Sequence, residues 1–442
     1  MSTSYIERSR GSCALHGALA TFGAIEGVVP VIHATSGCGV QYQQGVTQFG
    51  GATPACAAWG NPLSSSNITE KHVVFGGGSR LREQLKNTVK LLRGDLYVVV
   101  TGCATEMVGD DIPAMTKEGR EQGWPVIYAN TPGFRGSIHR GYELAVRPLI
   151  EQLPGLPGPE LPPKPGLVNL LGIIPQQDPF WQGHLLGLER IFDAAGLTAN
   201  PLLGLGHGID HWRRLPQAAL TVVTSPWGRD GAQLLEEKYG TPWIELHGIP
   251  VGARATGALL DTLAERLPVD TVRLAAFRQT QEGWFERNLA RIAPQYYAEG
   301  FQQEFALVGE SGFVPGAAEF LVETLGLIPK LVVITDPLAE ETRDAWAQPL
   351  QRLIEPFGAK LAFAEDAGEI DDLLRASRAE LIIGSSLDRP VADELRASFL
   401  PVSFPVANRL VLNRGYAGYE GGLAFIEDLG SALLRGRSIK LI

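Results

Sequence analysis

Sulfur is scarce in this chain: its 442 residues include four cysteines and three methionines. So few cysteines exclude the dense disulfide framework of small secreted domains and leave reduced thiols or metal ligands as the readings to weigh. Basic residues are outnumbered, 38 Lys and Arg against 48 Asp and Glu, for a net charge of −10. That balance argues against a nucleic-acid partner, whose footprint is clustered positive charge, and turns attention to small molecules and protein partners. Long apolar runs are also missing. None nears the roughly 20 residues that a bilayer crossing needs, and the opening MSTSYIERSRGSC lacks the apolar core of a signal peptide. The expectation is therefore a chain with no membrane partner and a cytoplasmic location.

What the sequence does have is a series of β-rich apolar runs with helical stretches between them. GVVPVIHA, LYVVVTG, WPVIYANTPG, GLVNLLGII, ALTVVTSP, TPWIELHGIP, FALVGES, KLVVITDP and LIIGSS each end in Gly, Ser, Thr or Pro. Near-continuous apolar strands of this kind suit parallel sheets covered on both faces, so the class is α/β with three Rossmann-like units. The stretch 152–166 holds six prolines and reads as a linker. It separates an N-terminal unit, 1–151, from a middle unit, 167–300, and the run before FALVGE opens a C-terminal unit, 301–442. In open α/β sheets ligands bind outside the carboxyl ends of the strands, which is where TGC, NTPG, TSP, GES and GSS fall.

Three of the cysteines share one setting. Cys13 stands just ahead of a small-residue helix, Cys38 follows a strand and precedes glycine, and Cys103 ends LYVVVTGC. Glycine beside Cys38 and Cys103, and two residues before Cys13, lets backbone N–H groups approach a thiolate or sulfide closely. Cys56, among alanines, reads as a packing thiol. Inert packing remains open for the other three as well. Zinc is disfavoured, because there is no C-x-x-C pair or H-x-x-x-H partner at structural spacing. A cluster held from several loops fits the spacing better, and three ligands would leave a four-ligand cluster one short, with a partner chain free to complete it.

C-x-x-x-G-A at Cys13 to Ala18, H-x-x-x-G-C at His33 to Cys38, EKHVVFGGGSRLREQL at 70–85 and TGCATEMVGDDI around Cys103 follow one another in an order that resembles the nitrogenase component 1 family. NTPGFRGS at 130–137, GESGFVPGAAEFL at 309–321 and FPVANRLVLNRGYAGYEGGL at 404–423 extend it over nearly the whole chain. The resemblance implies that Cys13, Cys38 and Cys103 bind part of an interfacial iron–sulfur cluster, either P-cluster-like [8Fe-7S] or [4Fe-4S], shared with an α-type subunit. It implies an α2β2 heterotetramer served by an ATP-dependent [4Fe-4S] reductase homodimer. The region similar to the α-type cofactor cysteine has Thr224 and Ser225, and RGYAGYEGG has no histidine, so the chain looks like the β-type, electron-relay subunit with no catalytic residues of its own. Gly133 falls where nitrogenase β chains have a serine that ligates the oxidised cluster. Retention of three cysteines argues against an assembly scaffold, and by elimination the likeness points to a nitrogenase-like methylthio-alkane reductase, which releases methanethiol and a hydrocarbon. A dinitrogen-reducing β subunit and a cofactor-assembly scaffold are the alternatives.

Other residues admit a sharp and a bland reading. Asp110 and Asp111 could be paired catalytic carboxylates, but acids at a helix start are the expectation. His33 could serve the cluster, though a satisfied core histidine is expected. FGGGS at 75–79 lacks the G-K-[ST] of a phosphate loop. Glu106 and Ser137 are candidates for tuning cluster potential through hydrogen bonds. His207 and His211 have the spacing of a helical metal pair, yet Gly208 makes a loop the expectation.

Overall fold

Three parallel sheets follow one another along the chain, and their carboxyl edges meet where the units join. The computed structural model describes residues 6–49, 63–159, 161–162, 164–298 and 300–435, so Cys56 lies outside the described residues. The N-terminal sheet runs Ser64–Ser65, Val28–His33, Leu96–Thr101, Val126–Ala129. The middle sheet runs Trp243–Glu245, Leu220–Val223, Leu167–Leu171, Thr198–Asn200. The C-terminal sheet runs Lys360–Phe363, Ile328–Ile334, Glu304–Gly309, Leu381–Gly384, Ser398–Pro401. Consecutive residues such as Val98, Val99 and Val100 are all fully buried. Both faces of these strands are covered, which is why they read as unbroken apolar runs rather than alternating ones.

A further parallel pair, Ile25–Glu26 with Gly204–Gly208, stitches the N-terminal unit to the middle one. The proline-rich stretch after 152 lies along the middle unit: Arg213 donates to the Pro157 carbonyl, Arg214 to that of Pro162 and Gln217 to that of Leu161. A 28-residue helix, Thr271–Ala298, leads from the middle sheet to the C-terminal one. The last helix, Gly418–Arg435, returns to pack on Gly252–Arg266 as well as on the strand Ser398–Pro401. Among the described residues no helix is long and apolar enough to cross a membrane.

Two features fix the position of Cys13. The helix that it caps, Ala14–Gly23, crosses Ile138–Gln152 so closely that a β-carbon at Gly17 would lie 1.9 Å from the Ile138 carbonyl oxygen. Only glycine permits this approach, and the small residues around Cys13 are explained by it. The segment leading into Cys13 is anchored on the C-terminal unit. Buried Arg10 pairs with both oxygens of Asp388, at 2.8 and 2.9 Å, and with Ser385. The Arg8 backbone N–H donates to Asp366 at 2.8 Å.

Candidate metal centre

Each of the three cysteines begins a helix. Cys13 caps Ala14–Gly23, Cys38 lies in the first turn of Ser36–Phe49, and Cys103 is the first residue of Cys103–Val108. Strand ends were the expectation for Cys38 and Cys103. The strands close two or more residues earlier, at His33 and Thr101, and the chain turns through Gly102 into helix. The difference matters chemically, because free N–H groups and the positive end of a helix dipole stabilise thiolate.

Two of the thiols, Cys13 and Cys103, flank Gly133. A β-carbon there would lie 3.2 Å from the Cys103 sulfur and 3.3 Å from the Cys13 sulfur. Burial raises the Cys13 thiol above its usual pKa, the backbone N–H groups of His16 and Leu15 oppose the shift, and the nearby Cys38 and Cys103 add to it. Cys13 and Cys38 are partly buried while Cys103 is exposed, so the group opens to one side. Among the described residues no three His, Cys, Asp or Glu side chains close around a single ion. Thiols that are neighbours without sharing one coordination point suit the separate irons of a cluster better than one tetrahedral zinc.

Backbone pairing fixes the frame. The Ile138 N–H donates to the Ser12 carbonyl at 2.8 Å and the Ala14 N–H to that of Gly136 at 2.9 Å, so the 133–137 turn is clipped against Cys13. His16 joins two of the cysteine helices, with Nδ1 on the Ser12 hydroxyl and Nε2 3.1 Å from the Cys38 carbonyl. The sequence motif around Cys13 assigns His16 no role. Its position one helical turn after Cys13 was the available signal.

The other candidates separate cleanly. His33 is a satisfied core histidine, with Nδ1 2.9 Å from Ser66 Oγ and Nε2 2.9 Å from Asp110 Oδ2. Asp110 also accepts from the Gly77 N–H at 2.8 Å, so its role is to tie the GGG turn to His33, while Asp111 caps Ile112–Glu121. Glu106 accepts from Thr101 at 2.5 Å, and Ser137 lies 3.3 Å from His139 Nδ1. His207 is on a strand and His211 on the short helix Ile209–Arg213, yet their rings still meet.

A second polar cluster occupies the junction of the three units. His139 from the N-terminal unit lies 3.0 Å from Glu310 of the C-terminal unit, and Gln177 of the middle unit donates to the same carboxylate. Trp227 stacks on His139 at 5.0 Å and donates to the buried Asp336 at 2.7 Å. Burial opposes charge on His139, but Glu310 and then Asp336 and Glu365 outweigh it and raise its pKa. Sequence reading located the strand ends GES and NTPG here but not this charge pairing, which depends on three units meeting. The cavity left beside it, lined by Thr224, Ser225, Gln177 and Glu310, is about 30 Å³, room for about one water. Ser225 is already committed to the Gly172 carbonyl at 2.6 Å.

With this geometry in hand, the relatives are informative. The family model for nitrogenase component 1 type oxidoreductases matches residues 13–434. The molybdenum–iron protein beta chain of Clostridium pasteurianum nitrogenase is 25% identical over 96% of this chain and 92% of its own length. The corresponding beta chains of Bradyrhizobium diazoefficiens and Frankia alni are 25% and 26% identical, covering 93% and 96% of this chain and 81% of their own. The solved structure of nitrogenase Cp1 at pH 6.5 superimposes with a TM-score of 0.81 at 21% identity, covering 100% of this chain and 96% of that one. The match begins at the first cysteine of the converging group and runs through all three sheets, and the chain belongs to the nitrogenase component 1 type oxidoreductase family.

Proposed function

We propose that the chain is the β-type subunit of a nitrogenase-like, ATP-dependent reductase complex, in which Cys13, Cys38 and Cys103 hold part of an iron–sulfur cluster at the boundary with an α-type subunit. The observation that carries this reading is the grouping of three cysteines at helix starts, with the sulfurs of Cys13 and Cys103 both packed tightly against Gly133. When bound, such a cluster supplies one-electron transfer at a potential set by ligands, hydrogen bonds and burial. The chain's own residues place the cysteines at helix starts, hold the Cys38 turn through His16 and keep Gly133 as clearance.

The open side supports a partner chain as the source of the remaining ligands. Around Cys103 the surface is apolar: Val74, Phe75, Met107 and Phe134 are 72%, 81%, 80% and 63% exposed. A patch of this kind beside reactive thiols is costly in water and favours burial in an assembly. We assign it to the αβ boundary of an α2β2 tetramer, with an ATP-hydrolysing [4Fe-4S] reductase homodimer docking over it. The near-absence of a cavity beside Thr224 and Ser225 supports an electron-relay role, with the substrate-reducing cofactor in the α-type chain.

For the overall reaction we propose reductive cleavage of a methylthio-alkane: R–S–CH3 with two electrons and two protons gives R–H and CH3SH. The purified complex, supplied with its reductase, ATP and a volatile methyl sulfide, should release methanethiol and the matching hydrocarbon. Ammonia formed from dinitrogen instead would favour the second reading, a dinitrogen-reducing β subunit, which the names of the relatives support. No turnover together with delivery of a cofactor to another protein would favour the assembly scaffold.

A further inference from the structure

Two histidines far from the thiols in function face each other where the N-terminal and middle units are stitched together. His207 lies on Gly204–Gly208, the strand that pairs with Ile25–Glu26, and His211 lies on the helix that follows. Their ring centroids are 4.8 Å apart at an interplanar angle of 73°. Two imidazoles sharing one tetrahedral ion, with metal–nitrogen distances near 2.0–2.1 Å, have centroids roughly 5 Å apart. Nδ1 of each ring is buried and has no hydrogen-bond partner, although the Gly208 carbonyl faces His211. A buried imidazole nitrogen left in this condition requires a ligand, a water or a metal.

The surroundings supply carboxylates. Glu189 Oε1, from the helix Trp181–Ala194, is 3.9 Å from His207 Nε2. Glu26 acts electrostatically on His207 and holds the Gly206 N–H at 2.7 Å. Lys164 and Arg214 lie on the His211 side, and Arg190 acts on Glu189. An imidazole binds a metal as the free base. Neutral imidazoles with flanking carboxylates are a nitrogen–oxygen donor set suited to zinc and its neighbours in the first transition series.

We propose that His207 and His211, joined by Glu189 on binding, form a site on the middle unit for one divalent transition-metal ion of the zinc type, beside the seam with the N-terminal unit. It is independent of the thiol centre and of the reaction proposed above. No three ligands yet close on one point among the described residues, so Glu189 must change rotamer to reach the ion.

Zinc chloride titrated into the full-length chain, in the assembly in which it purifies, tests this. Wild type should bind one zinc per chain more than the His207→Asn/His211→Asn variant, which retains the thiols. Its zinc X-ray absorption should carry the multiple scattering of two imidazoles. Glu189→Gln should weaken that extra site about tenfold. Equal zinc stoichiometry and affinity in wild type and double variant, or an extra site without imidazole scattering, overturns the proposal. Should the double variant fail to fold, Glu189→Gln decides, and unchanged affinity there overturns it.

Discussion

Gly133 stands directly against Cys103: a β-carbon at position 133 would sit 3.2 Å from the Cys103 sulfur and as close to the β-carbon of Cys13. Gly133→Val should therefore displace both thiols and lose most of the bound iron, while Gly133→Ser should keep the iron and shift its redox potential by adding an oxygen donor. Iron and sulfide analysis with a potentiometric titration checks both. Full iron content and an unchanged potential in Gly133→Val would show that the thiols do not act at this position.

Arg10 links the lead-in of Cys13 to the C-terminal unit through a buried two-oxygen contact with Asp388. Removing one member leaves the other charged and buried, which costs about 3–5 kcal/mol. Arg10→Ala should lower the unfolding midpoint sharply, and Arg10→Met with Asp388→Leu should recover much of the loss. Thermal melts of the two variants make the comparison.

His33 gives a pH dependence with a defined sign. Burial depresses its pKa despite Asp110 beside it. A base with a depressed folded value contributes stability that is present above the unfolded value of about 6.5 and is lost as pH falls through the folded value. Wild type should lose more thermal stability between pH 7 and pH 5 than His33→Gln does. Equal losses would mean that His33 does not carry that slope.

At the junction of the units, Glu310→Leu should strand His139 in the interior at a cost of about 3–5 kcal/mol. His139→Leu with Glu310→Leu should be milder than Glu310→Leu alone. A double-mutant cycle by chemical denaturation measures the coupling. Near-additive effects would remove the pair from the account of how the three units are held together.

Much of this architecture was legible because strands buried on both faces leave apolar runs, as at 96–101 and 328–334. The grouping of Cys13, Cys38 and Cys103 was legible from their glycine neighbours. That Cys13 precedes a helix was legible too, but the helix starts at Cys38 and Cys103 were not, since the glycines beside them have low intrinsic helix propensity. His16, His139 and Glu310 were missed for a related reason. Their partners lie 22 residues away in the first case and 171 in the last pair, and no local pattern marks such contacts.

The central claim is that three thiols of this chain hold iron. Cys13→Ala, Cys38→Ala, Cys103→Ala and Cys56→Ala, each purified anaerobically with the partner chain, would be compared for iron, labile sulfide and the electron paramagnetic resonance of the dithionite-reduced and oxidised protein. The account predicts lost iron and an altered signal in the first three variants and none of either in Cys56→Ala. Wild-type iron content and spectra in Cys38→Ala would contradict it.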